Sequence, residues 1–353
     1  MYKRPFVALL AFLACSLSLV AQANPAIEGG RADVRAIMEA QKAPGMSVAV
    51  LVDGKVVWSE GFGLADVEQN VAASAATRYR LGSVSKLFTA AVAARLAERG
   101  ALDLDAPVSK YAAFPHEVTS RQILGHLSGI RHYGNADPIF AGKTYASLRE
   151  GLSIFAKDPL LAPPGTAYTY TSYGFNLLGV VIEGASRRTF AEALADEVIL
   201  PLGVKTIALD DPSTIVPNRA AFYDKRADGT IRNAAPNDSS YKWPSGGLVA
   251  SAEDVARFAD AHVKPGYLYE VMLTQMFTPQ KMADGKPTNV GLGWRVNQTE
   301  DGTRYWHHGG TITGGRAFVL VLPEQRVSVA LLANLLVRYD EKDLLAIARR
   351  FVR

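Results

Sequence analysis

Residues 45–63 read GMSVAVLVDGKVVWSEGFG, two β-rich apolar runs placed around Asp53-Gly54. An Asp-Gly pair supplies the positive φ angles that a two-residue hairpin turn needs, so this segment is predicted to be a β-hairpin. The other end of the chain is written in the same style. Strands are predicted over Val290–Asn297, Arg304–His307, Gly315–Leu322 and Val327–Asn334, with Pro323-Glu324-Gln325-Arg326 as the turn between the last two. A terminal amphipathic helix is predicted over Val337–Val352. The middle differs. Helices are predicted over Ser85–Arg99, stopping at Gly100, and over Phe175–Ser186 and Phe190–Ile199, with Pro- and Gly-rich loops such as Ala162-Pro163-Pro164-Gly165 between them. Strands at both ends with helices between do not alternate as βαβ units. They predict an α+β fold in which one antiparallel sheet, built from N- and C-terminal strands, is flanked by helices and carries a mostly helical central lobe over about 83–245. A cleft between sheet and lobe is the expected place for a site.

Before the first strand lies a leader. Lys3 and Arg4 precede an apolar run, Phe6 to Val20, and then Ala21-Gln22-Ala23. This order predicts a secretory signal peptide over 1–23 cleaved after Ala23, a mature domain over 24–353, and a secreted or periplasmic location. The apolar run is short for a membrane span, so no stable span is expected after cleavage. Cys15 is the only cysteine and falls inside the leader, which leaves the mature chain without disulfides, thiol catalysis or cysteine metal sites. About 330 residues can instead bury a large core. Without Lys3 and Arg4 the formal charge falls from +4 to +2, a balance that gives no reason to expect nucleic acid as a partner.

Three segments carry residue types suited to chemistry. Ser83-Val84-Ser85-Lys86 opens the Ala-rich helix. Positions i and i+3 share a helix face, so the Lys86 amine comes close to the Ser83 hydroxyl. A serine is a poor nucleophile until a base takes its proton, and a lysine kept neutral by burial can do so. The spacing recurs at Ser239-Ser240-Tyr241-Lys242, which reads as a polar loop before Trp243-Pro244; helix context favours Ser83. The second segment is Tyr168-Thr169-Tyr170-Thr171-Ser172-Tyr173-Gly174-Phe175. The third is Trp306-His307-His308-Gly309-Gly310-Thr311-Ile312-Thr313-Gly314-Gly315. A strand followed by glycines lets backbone N–H groups approach a substrate and form an oxyanion hole.

These segments, in this order, make the chain resemble the serine β-lactamase and penicillin-binding-protein family, on its class C-like, LACTB-like branch. The order Ser-x-x-Lys, Tyr-x-Asn or a variant, then Lys/His-x-Gly is the family's. Tyr79 to Lys86, His126 to Tyr133, Pro164-Gly165 and Ser245 to Asp254 add to the likeness. The resemblance implies a β-lactamase/transpeptidase-like fold and an exported serine hydrolase that uses no cofactor and no metal. Ser83 would be acylated and Lys86 would accept its proton. Tyr170 would share proton transfer to the leaving group. His308 would hold the third-motif position, with His307 as the alternative. The backbone N–H groups of Ser83 and Thr311 would form the oxyanion hole, and Ser172, Gly309 and Gly310 would contact substrate. Two departures matter. Ser172 stands where the family has Asn; being shorter, it is expected to reach a substrate amide or Lys86 only through water. His308 in place of lysine removes a permanent cation. Both weaken the case for efficient β-lactam hydrolysis.

Rival chemistries fit poorly. Gly125-His126-Leu127-Ser128-Gly129 has its serine in the fourth place, which is no Gly-x-Ser-x-Gly elbow. No zinc-hydrolase histidine spacing, phosphate loop or dinucleotide fingerprint occurs, and most of His116, His126 and His132 read as structural. The expected substrates are small molecules or short peptides: esters, amides or β-lactams. The alternative is a low-turnover penicillin-binding-like or self-assembling scaffold protein that retains the fold. Loops over Arg131–Lys157 and Asp210–Tyr241 are expected to set specificity.

Overall fold

The computed structural model describes residues 24–135, 137 and 143–352; the leader expected over 1–23 lies outside the described residues. Helix α1 (Pro25–Gln41) leads into strands β1 (Gly45–Val52), β2 (Lys55–Asp66) and β3 (Val71–Ala72). Strands β4 (Arg295–Gln298), β5 (Arg304–Ile312), β6 (Gly315–Leu322) and β7 (Val327–Ala333) follow near the other end of the chain. Among the described residues these form one seven-stranded sheet in the order β3-β2-β1-β7-β6-β5-β4, with antiparallel neighbours. The closing pair is β1 with β7, Met46 opposite Ala333 through Val52 opposite Val327, so the two ends of the chain make one sheet. The hairpin turn between β1 and β2 has φ of 50° at Asp53 and 79° at Gly54, the positive pair the sequence called for.

Strand β1 is buried along its whole length because helices cover both sheet faces. Side chains alternate across a strand. Met46, Val48 and Val50 therefore join Phe318, Leu320, Val329 and Leu331 under α1 and the C-terminal helix, while Ala49 and Leu51 join Val319, Val321, Ala330 and Leu332 on the opposite side. That opposite side carries α2 (Ser85–Glu98), α3 (Ser172–Ser186) and α4 (Ala252–Asp260). Residues 85–94 of α2 are all buried, which makes it the axle of the molecule. Its end at Gly100, φ 70°, is where the sequence places it.

Four elements differ from expectation, each for a local reason. The strand expected over Val290–Asn297 pairs only from Arg295, because Gly293 turns to φ 84° and donates its N–H to Leu124 O (3.0 Å), which sends Trp294 into the core. The strand expected over Arg304–His307 runs on to Ile312, since β6 keeps pairing past the glycines, Gly309 with Phe318 and Gly310 with Ala317. The helix expected over Phe190–Ile199 is α-helical only to Leu194 and widens to a π turn over Ala195–Ile199 just before Pro201. The terminal helix, α5, spans Glu341–Arg349, because Asp340 caps it, and the buried residues Val337 and Tyr339 lie before it outside any helix.

A three-stranded sheet sets the nucleophile in place. Tyr79–Arg80 pairs with Leu248–Ala250, which pairs in turn with Ala208–Leu209. The chain leaves Arg80 straight into a 3-10 turn, Gly82–Val84, and then α2. Ser83 is thereby held beside the Trp243–Gly246 turn that precedes Leu248. The packing of α2 is what this arrangement rests on. Phe88 is fully buried, and its ring stacks on Phe258 at a centroid distance of 4.0 Å. Phe88→Ala is expected to lower unfolding free energy by about 3–5 kcal/mol in a denaturant titration. A change under about 1 kcal/mol would contradict the role given to this helix.

Candidate active site

A cavity of about 660 Å³ opens between the sheet edge at β5 and the helical side. Ser83, Tyr170, Ser172, His308, Gly309 and Thr311 line it, so the three segments singled out in the sequence meet in one place. Lys86 is fully buried beneath the floor. Its Nζ lies 3.0 Å from Ser83 Oγ, 3.0 Å from Ser172 Oγ and 2.7 Å from the Ser245 carbonyl oxygen. The expectation that Ser172 would need water to reach Lys86 is overturned, because the first turn of α3, capped by Thr171, brings the short side chain into direct contact.

Burial pushes the Lys86 pKa well below its ordinary value. Among the described residues no carboxylate lies within 4.0 Å to hold its charge. A neutral amine has two N–H donors and one lone pair. The donors match Ser245 O and Ser172 Oγ, and the lone pair is left to accept the Ser83 O–H. Tyr170 completes the set. Its hydroxyl donates to Ser83 Oγ at 2.8 Å, and burial raises its pKa, so it remains a proton donor at neutral pH.

The loop before α3 is fastened by two histidines. His126 Nδ1 accepts the Thr171 N–H at 3.2 Å, and His132 Nδ1 accepts the Ser172 N–H at 3.1 Å. An acceptor Nδ1 leaves the proton on Nε2. The sequence reading placed these residues among structural histidines; the structure places them directly behind Tyr170 and Ser172. His126 has φ 57°, a conformation with no reliable sequence signal for histidine.

Strand β5 forms the opposite wall. Alternation separates its two histidines. His308 faces Tyr170, with ring centroids 6.5 Å apart, and its Nδ1 lies 2.8 Å from Gly309 O, an N–H donor's distance. Burial, reinforced by the Arg295 charge, holds its pKa well down. His307 stacks on Phe318 instead (5.5 Å, 6°). Two glycines let the strand meet the nucleophile turn. A Cβ on Gly310 would stand 1.9 Å from Leu81 O, and one on Gly82, at φ 49°, would stand 2.8 Å from Thr311 N. The backbones around Ser83 and Thr311 can come this close because Gly82 and Gly310 carry no side chain. Gly310 is thus spent on this contact and does not line the cavity, unlike Gly309.

Other lining residues were not apparent in the sequence. Arg295 lies opposite His307 in register, with its guanidinium 6.0 Å from the Tyr170 ring. Tyr133, Tyr241, Asp224 and Ser245 also line the wall; Tyr133 comes from the first loop region expected to set specificity, Asp224 and Tyr241 from the second, and Ser245 from neither. The second Ser-x-x-Lys is no polar loop. Ser239 is fully buried, and Lys242 is buried in the cavity wall, bridged to Ser239 through Asn237 (2.9 and 2.8 Å) rather than touching it. Among the described residues Lys242 Nζ bonds to Asn237 and not to a serine hydroxyl, unlike Lys86.

The family model described as Beta-lactamase matches residues 31–352. The human mitochondrial serine beta-lactamase-like protein LACTB is 29% identical, over 85% of this chain and 72% of its own length. A penicillin-binding protein of Bacillus halodurans superposes with a TM-score of 0.77 at 25% identity, over 90% of this chain and 99% of its own. The octameric penicillin-binding protein homologue of Pyrococcus abyssi gives 0.75 at 25%, over 87% and 73%.

The neutral histidines make stability depend on pH. Unfolded, an imidazole protonates near pH 6.5. Folded, burial holds His132 and His262 to about 4. Between those values the unfolded chain binds more protons, so this contribution is present above pH 6.5 and is lost as pH falls towards 4. Denaturant midpoints are expected to drop across that window; a midpoint unchanged from pH 7 to 4.5 would contradict it.

Proposed function

The chain belongs to the β-lactamase family, and on that premise we propose that it is a serine hydrolase acting through a covalent acyl-enzyme. The contact between Ser83 Oγ and a buried Lys86 amine carries this reading. The Ser83 oxygen bonds to the substrate carbonyl carbon while its proton passes to the Lys86 lone pair. The oxyanion that forms is met by the N–H groups of Ser83 and Thr311. Tyr170 gives a proton to the departing oxygen or nitrogen and is reprotonated from Lys86. Water then attacks the acyl-Ser83 ester and releases the acid.

The substrates we propose are small esters, peptides or amides, and β-lactams. Arg295 beside Tyr170 makes the leaving-group side positive, which favours leaving groups that carry a carboxylate. A panel of chromogenic esters, D-aminoacyl amides and a chromogenic cephalosporin distinguishes these classes. Ser83→Ala is expected to abolish turnover and labelling by a serine-directed phosphonate. Lys86→Met is expected to lower kcat by about 10²–10⁴-fold, the usual worth of a general base. Wild-type turnover in Ser83→Ala overturns the assignment. The octameric relative from Pyrococcus abyssi supports a second reading, a low-turnover self-assembling protein. Large inert assemblies in light scattering, with the panel silent, would favour it.

Export is proposed from the leader alone. N-terminal sequencing of the protein recovered from its native compartment is expected to begin at Asn24; a chain beginning at Met1 contradicts export with cleavage.

A further inference from the structure

Arg80 stands three residues before Ser83, at the end of the short strand Tyr79–Arg80. It is buried, and its guanidinium carbon lies 4.0 Å from the Phe222 ring centroid. Nε donates to Asp210 Oδ2 at 2.7 Å, and Nη1 donates to the Thr313 carbonyl oxygen at 2.9 Å. Thr313 lies in the turn that ends β5, two residues past Thr311. Asp210 is buried too, and its backbone N–H donates to Gly247 O at 2.7 Å, two residues past the Ser245 carbonyl that meets Lys86. One ion pair thus ties together the nucleophile turn, the hairpin end of β5 and the turn at Ser245. Among the described residues no other hydrogen bond joins residues 79–84 to residues 304–316. The approach of Gly310 to Leu81 and of Gly82 to Thr311 limits how near these segments come, but close packing has no direction. A buried ion pair is weak evidence of a contribution to stability, since desolvation offsets the attraction. What this pair supplies is direction.

We propose that Arg80 is a positioning residue for the oxyanion hole. Its main chain runs into the turn that carries Ser83, and its side chain holds the turn that follows Thr311. The proposal rests on the acyl-hydrolase reading. The hairpin end needs an outside hold because it has little of its own. Ile312 opposite Gly315 is the last pair of β5 with β6, and Gly314, at φ 68°, follows Thr313 in the turn. Those glycines seat the turn on this one spot. A Cβ on Gly315 would stand 3.0 Å from Arg80 Cβ, and one on Gly314 would stand 2.5 Å from Phe222 Cβ. Oxyanion donors act by being in place before charge develops, and a misplacement of about 1 Å costs about 10²-fold in rate. Thr313 lines the cavity and Arg80 does not, so Arg80 acts through the backbone it holds rather than on substrate.

Two variants separate positioning from stability. In Arg80→Gln the amide nitrogen takes the place of Nε and can still donate to Asp210, but nothing reaches Thr313 O. Arg80→Met combined with Asp210→Leu removes both charges together, a replacement that buried ion pairs often tolerate without loss of stability. The readouts are kcat and KM for 4-nitrophenyl acetate, per site titrated with a serine-directed phosphonate, and Ki for phenylboronic acid. Boron bonded to Ser83 Oγ is tetrahedral and sets an oxygen where the oxyanion would lie. Both variants are expected to lower kcat about 10–100-fold with KM within about threefold, because one hole serves acylation and deacylation alike. Ki for the boronic acid is expected to rise with the fall in kcat/KM. A kcat within about threefold of wild type in either folded variant overturns the proposal, as does a loss carried by KM with Ki unchanged. Failure of both variants to fold overturns it as well, since the pair would then be a structural tie alone. The hydrolase reading fails separately, on esterase turnover that survives in Ser83→Ala.

Discussion

An amine taken out of water with no carboxylate to pair with must shed its proton or carry a large desolvation cost. Lys86 is in that position at the centre of the molecule. Among the described residues it has three contacts; two N–H donors can serve Ser245 O and Ser172 Oγ, which leaves the lone pair for the Ser83 O–H. The partners come from well-separated stretches: Ser83 from the turn before α2, Ser172 from the start of α3, and the Ser245 carbonyl from the turn before Leu248. The burial that lowers the amine's pKa is the packing of α2 itself. Stability and reactivity therefore draw on the same core.

The sheet contributes the other half. Strand β5 approaches the nucleophile turn at Gly82 and Gly310, where a single methyl group would collide with backbone. That closeness brings the Ser83 and Thr311 backbones together at the cavity. The walls then add the guanidinium of Arg295 and the imidazoles of His132 and His308. None of these tunes the Ser83–Lys86 pair directly. They shape what can be presented to it.

Much of this was legible in the sequence where the cause is local. Asp53-Gly54 writes a turn in two residues, and Ser83 and Lys86 are three apart on a helix, so period and propensity suffice. The β-rich ends could be paired by elimination, since their apolar patterns needed each other. What escaped depends on distant chain segments. The glycines of Gly309-Gly310 looked like a strand end, yet the strand continues because Gly310 is needed against Leu81. Ser172 was expected to fall short of Lys86, yet the capped start of α3 carries it there. His126 and His132 read as ordinary structural histidines, because nothing nearby in sequence shows which backbone amide each will meet. Lys242 read as a loop residue for the same reason: its burial is decided by the fold around it.

The central claim is that Lys86 is an uncharged base in the resting protein. Nuclear magnetic resonance of protein labelled with ¹³C and ¹⁵N lysine, with Lys86→Met to assign the signal, reads the protonation state of this one amine. A side-chain shift of a neutral amine at pH 7, with titration displaced well below 10.5, is the predicted result. A Lys86 signal that stays that of an ammonium ion up to pH 10 would contradict the account.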